Sequence, residues 1–169
     1  MIRRSPELIT ADTPTSGALV LRGDYGRAID TLQRSIALRP TKTAFDNLGT
    51  AYFNSGRLED AVAAYNQSFQ FGSADYQTWL NLGDAYYWLR NRRDQARDAY
   101  TQAVRLGRDE SRARALAGRS FAVMIPANLA TVFPKLGQID SARVFLGMAL
   151  RADSANSMVQ YCAALTYWH

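Results

Sequence analysis

Apolar positions along the chain fall into stripes at helical spacing, interrupted at regular intervals by glycine or proline. From Asp24, the residues Tyr25, Ala28, Ile29, Leu32, Ile36 and Leu38 recur mostly three or four apart, which places them on one face of an α-helix, and Pro40 ends the run. The same reading predicts helices over about 42–54 and 58–71, parted at Asn54-Ser-Gly56, where glycine supplies the left-handed backbone of a short interhelical turn. It returns at about 76–89 and 94–106, across the longer turn Arg90-Asn-Arg-Arg93. Beyond Gly107, Asp109-Glu-Ser-Arg-Ala-Arg-Ala-Leu-Ala117 joins good helix formers to an acidic start and predicts an extra or extended helix. A fourth pair is expected at 126–133 and about 139–151, joined by Lys135-Leu-Gly137, and residues 154–169 would begin a fifth. Residues 1–16, with Pro6 and Pro14 among scattered Ser and Thr, read as an irregular arm.

The helices repeat. Phe45-Asp-Asn-Leu-Gly-Thr-Ala-Tyr52 has a near copy in Trp79-Leu-Asn-Leu-Gly-Asp-Ala-Tyr86, and both Gly49 to Gly83 and Tyr52 to Tyr86 span 34 residues. Such a period means that one supersecondary unit is stacked on itself. Ala61 to Ala96 is 35 residues, because the intervening turn is longer, and Ala142 follows only 46 residues beyond Ala96. An insert near 108–122 accounts for that gap, within a repeat domain over 17–169.

Trp79, Leu82, Gly83 and Tyr86 in a first helix, with Ala61 and Tyr65, Ala96 and Tyr100, and Ala28 and Leu32 in second helices, resemble the tetratricopeptide repeat. The resemblance covers roughly 17–169. It is strongest in the second and third repeats and weaker in the fourth, where Ala130 and Phe133 stand for Gly and Tyr. It implies an all-α, right-handed α-solenoid of about three to four helix-turn-helix repeats, truncated at both ends. The texture of an arginine-rich third repeat followed by a long insert is also similar to C-terminal helical parts of bacterial multidomain kinases and cyclase-like regulators, so a fragment or relative of a larger regulatory protein is expected.

Composition narrows the chemistry. The chain has 169 residues and one cysteine, Cys162, which rules out an intrachain disulfide or a thiolate cluster and fits a reducing, cytoplasmic setting. The apolar stretch 121–133 is broken by Pro126 and Asn128 and is short of a membrane span. His169, the only histidine, is terminal, so no Ser-His or Cys-His pair is expected, and neither a phosphate loop nor metal-ligand spacing occurs. No catalysis, cofactor or metal is expected. Glu59-Asp60 and Asp109-Glu110 are read as dipole-stabilising pairs at helix starts.

The resemblance also places a binding surface. In the family the first helices line a concave groove, and the residue two before the small Gly or Ala faces into it; here these are Asn47, Asn81, Asn128 and, at the broken end, Cys162. An amide offers both donor and acceptor, the combination that holds an extended peptide backbone of any sequence. Phe53, Asp84, Tyr87 and Trp88 complete the expected groove, the aromatic residues as flat apolar contact area. Thr43, Asp46, Gln77 and Leu80 occupy places where clamp-type members grip a C-terminal carboxylate with Lys or Arg, so internal or extended segments are the expected ligands. The partner is another protein or peptide, with no membrane. A second expectation is an acidic-partner patch at Arg90, Arg92, Arg93 and Arg97, within a segment 90–119 whose nine arginines and four acids equal the whole chain's net charge of +5. Nucleic acid is disfavoured as its ligand. A third is a homo-oligomer formed through residues 156–169, rich in Tyr161, Leu165, Tyr167 and Trp168.

Overall fold

A computed structural model describes residues 14–116 and 123–168, and every regular element among them is helical. The helices are α1 (Pro14–Leu21), α2 (Tyr25–Leu38), α3 (Lys42–Asn54), α4 (Leu58–Ser68), α5 (Tyr76–Trp88), α6 (Arg93–Leu116), α7 (Met124–Val132), α8 (Ile139–Ala152) and α9 (Ser157–Trp168), with a 3-10 turn at Pro134–Leu136. Of the expected N-terminal arm, residues 1–13 lie outside the described residues and Pro14 opens α1; of the insert, so do 117–122.

Local chemistry sets the ends of these helices. Asp24, Thr41, Asp75 and Asn156 each accept a backbone N–H from the first turn of the helix that follows, filling donors that have no partner within the helix. Gly23, Gly56 and Gly137 take φ of 77°, 79° and 73° in the turns before α2, α4 and α8. Only glycine adopts that conformation without strain.

The described residues form two compact units, one drawn from Met1–Ala74 with Asp84–Ala96 and the other from Asp75–Gly83 with Arg97–His169, so the dividing line runs through α5 and α6. In the first unit α2 packs on α1, α3 on both, and α4 on α3. Gln33 Nε2 donates to the Tyr52 hydroxyl at 2.9 Å, tying one repeat to the next. In the second unit α7 packs on α8 and α9. Ile125, Leu129, Phe133 and Ala142 form one apolar cluster, and Ala127, Ala149, Val159 and Cys162 another.

The repeated spacing has a specific physical cause. A Cβ added to Gly49 would lie 2.5 Å from the Tyr65 ring, and one added to Gly83 would lie 2.5 Å from the Tyr100 ring. In each repeat the second-helix tyrosine therefore lies directly on the first-helix glycine, and both rings are buried. The fourth pair carries Ala130 and Leu146 at the corresponding places, both buried. The small residue there carries a methyl, and a smaller side chain stands at the place of the aromatic ring.

One expectation at the insert is corrected. Asp109 and Glu110 do not start a helix, because α6 runs unbroken for 24 residues through Gly107. Gly107 is a packing position: its missing Cβ would stand 3.1 Å from Leu129 Cδ1 and 3.4 Å from Ile125 Cγ2. Asp109 and Glu110 instead pair along the helix, with Arg105 at 3.7 Å and Arg114 at 2.7 Å.

Candidate functional site

In the second unit the expected asparagines are joined by Gln77, a residue whose sequence position marks only a missing clamp cation. Gln77 Nε2 donates to Asn81 Oδ1 at 3.1 Å, Asn128 Nδ2 donates to Gln77 Oε1 at 3.4 Å, and Cys162 Sγ stands 3.9 Å from Asn128 Oδ1. Asn81, Gln77, Asn128 and Cys162 thus form one polar row across α5, α7 and α9. Gln77 is one helical turn before Asn81 and so shares its face of α5. That spacing is the signal the sequence offers for it.

The row is partly shielded. Asn81 and Asn128 are half-buried, Gln77 is exposed and Cys162 is buried. Tyr76 hydrogen-bonds Asn128, and its phenol is pushed above the usual range chiefly by burial, with Glu110 and Asp75 acting the same way and the hydrogen bond and Arg114 opposing. Burial likewise pushes the Cys162 thiol up, so it stays protonated and serves as a weak donor. The two amide–amide bonds of the row are themselves exposed, so the remaining amide valences of Asn81 and Asn128 are open to a guest.

In the first unit Asn47 is half-buried on α3, and beside it Lys42 Nζ pairs with Asp46 at 2.6 Å. Phe53 and Asp84 are half-buried. Tyr87 and Trp88 stand edge to face with centroids 6.2 Å apart, and the Arg93 guanidinium lies 3.8 Å from the Tyr87 centroid. Trp88 is 65% exposed, an uncommon position for so large an apolar group. Of the adjacent pair, Trp88 is therefore the one open to solvent, and Tyr87 is half-buried with Arg93 over its ring.

The arginine cluster is less uniform than its composition implies. Arg90, Arg92 and Arg97 are exposed, whereas Arg93 is engaged with Tyr87 and Arg114 with Glu110. Arg108 lies over two rings, 5.6 Å from Phe133 and 5.4 Å from Phe145. On α9, Met158, Tyr161, Leu165 and Tyr167 are exposed. Among the described residues no group of three His, Cys, Asp or Glu side chains could hold a metal, and no helix is long and apolar enough to cross a membrane. His169 lies outside the described residues.

Tetratricopeptide repeat models match residues 43–71 and 77–106, the two pairs in which tyrosine covers glycine. No curated protein matches the chain by sequence. Among solved structures, TTC0263, a thermophilic TPR protein of Thermus thermophilus, is similar over 90% of this chain and 78% of its own, at 18% identity and a TM-score of 0.67. MamA is similar over 92% of this chain and 84% of its own, at 16% identity and a TM-score of 0.58. YrrB, a TPR protein with an unusual peptide-binding site, is similar over 90% and 73%, at 17% identity and a TM-score of 0.55. At these identities the likenesses speak for the fold, and they agree with the repeat matches and with the helix pairs described above. The two matched helix pairs, residues 43–71 and 77–106, are tetratricopeptide repeats, which are known as non-catalytic protein-interaction modules.

Proposed function

We propose that this protein holds an extended peptide segment of a partner protein, with the amides of Asn81, Gln77 and Asn128 gripping the backbone. The observation that carries this reading is the row itself: three side-chain amides from two successive first helices, linked at 3.1 and 3.4 Å. Linked amides hold one another in fixed orientations, so little side-chain freedom is lost when a guest adds its own hydrogen bonds. Their neutrality favours peptide N–H and C=O groups over a terminal carboxylate. In the first unit Asn47, Phe53, Asp84, Tyr87 and Trp88 form a second set, in which the exposed Trp88 supplies contact area of the kind that dominates binding hot spots. That YrrB has a peptide-binding site on a similar fold is in keeping with this reading.

Peptides selected from a displayed library against the whole chain provide the test. The double substitution Asn81→Ala with Asn128→Ala should weaken their binding about 10- to 100-fold, the loss of one or two backbone hydrogen bonds, while lowering stability by only about 1–3 kcal/mol through the Tyr76 and Cys162 groups that Asn128 partners, so that the chain stays folded. Unaltered affinity in the folded double variant would remove the row from the function.

A further inference from the structure

A second candidate ligand site lies in the second unit and shares no residue with the amide row. Thr101, Val104, Arg105, Arg108 and Asp109 of α6, with Leu136 and Gln138 of the turn before α8, line a cleft of about 330 Å³. Val104 and Leu136 are its apolar lining residues. Its cations differ in how they are held.

Arg105 is exposed and shared with Gln102 at 3.0 Å and Asp109 at 3.7 Å. Arg108 has no carboxylate partner among the described residues and rests instead over the Phe133 and Phe145 rings. The rings hold its guanidinium in place by cation–π attraction without neutralising it. Arg108 is exposed, and a guanidinium resting on aromatic faces beside an apolar cleft, with no carboxylate partner among the described residues, is arranged for an anion; its planar fork matches a carboxylate bidentately.

We propose that this cleft binds a carboxylate side chain of an acidic peptide segment in a partner protein, with Arg108 as the anchoring cation, Arg105 as its flank and Val104 and Leu136 receiving an adjacent apolar side chain. The charge pattern favours a single carboxylate over a nucleic-acid backbone. A run of phosphates needs a track of cations, whereas here Asp109 lines the same cleft and Asp98 precedes it on α6. One carboxylate can be matched to Arg108 while avoiding Asp109.

Binding of the full chain to three probes tests this: an acetylated peptide alternating Glu and Leu, the same peptide with Gln for Glu, and a single-stranded DNA oligonucleotide. The Glu peptide should bind at least about tenfold more tightly than the Gln peptide. Arg108→Gln should lower its affinity about tenfold, and Arg108→Lys, which keeps charge and stem but loses the fork, should lower it by a smaller factor. Arg105→Gln, at an exposed site, gives the same reading without touching the aromatic rings. Arg92→Gln should change nothing beyond about twofold, and Asn81→Ala with Asn128→Ala should leave acidic-peptide binding intact, which separates this site from the amide row. Equal binding of the Glu and Gln peptides would overturn the proposal. So would an equal loss in Arg92→Gln and Arg108→Gln, or tighter binding of DNA than of the Glu peptide.

Discussion

A methyl group at position 83 would come within 2.5 Å of a Tyr100 ring that is only 1% exposed. At position 26 the same methyl would meet nothing within 4 Å. Helix propensity favours alanine at both places by up to about 1 kcal/mol, so the two substitutions separate packing from propensity. Overpacking in a close-packed core costs about 1–3 kcal/mol, which leaves Gly83→Ala net destabilising by up to about 2 kcal/mol, while Gly26→Ala should be neutral or raise stability. Denaturant titrations of the two variants beside the parent would show opposite signs. A Gly83→Ala protein as stable as the parent would mean that Tyr100 does not lie on that glycine.

At the level of elements, α6 offers the sharpest contrast between what the residues announce and what packing decides. Gly107 reads as a stop, yet the helix continues to Leu116 because the bare backbone there admits Leu129 and Ile125. Gly107→Ala should change stability by less than about 1 kcal/mol, propensity offsetting a shift of the Leu129 side chain. Gly107→Pro should cost about 3 kcal/mol or more, since proline in a helix interior removes a hydrogen bond and clashes with the preceding turn. If Gly107→Pro were tolerated, as it would be between two separate helices, the continuous α6 would be wrong. The helix pairs themselves are legible in the sequence, because apolar spacing, capping residues and turn glycines all agree over 42–106. Register likewise singles out Asn81, Asn128 and Cys162. Gln77 is marked there only by its place one turn before Asn81, and its bond to Asn128, 51 residues away, has no local signal. Arg108 counts only as charge, for nothing in its own neighbourhood of sequence points to Phe133 and Phe145.

For the molecule as a whole, alkaline pH is the condition that probes its buried phenols together. Burial is the main cause that holds the Tyr65 phenol well above its ordinary value of 10.0, against a hydrogen bond with Thr50, and Tyr76 is raised too. A phenol raised in the folded chain ionises first in the unfolded one, so its contribution is complete below about pH 10 and is lost as pH rises beyond that value. Cys162 acts in the same direction from its ordinary 9.0. The melting temperature should hold between pH 7 and about 9 and then fall, each group removing at most about 1.4 kcal/mol per pH unit. Tyr65→Phe should make that fall shallower, and a slope identical to the parent's would show that Tyr65 is accessible to hydroxide when folded.

The replacement of glycine and tyrosine by Ala130 and Leu146 in the fourth pair makes these two places a single unit of change. Shrinking the ring alone leaves a cavity and adding the methyl alone crowds the ring, so each single step costs stability that the other recovers. Gly83→Ala with Tyr100→Leu should accordingly destabilise the chain by less than the sum of the two single substitutions.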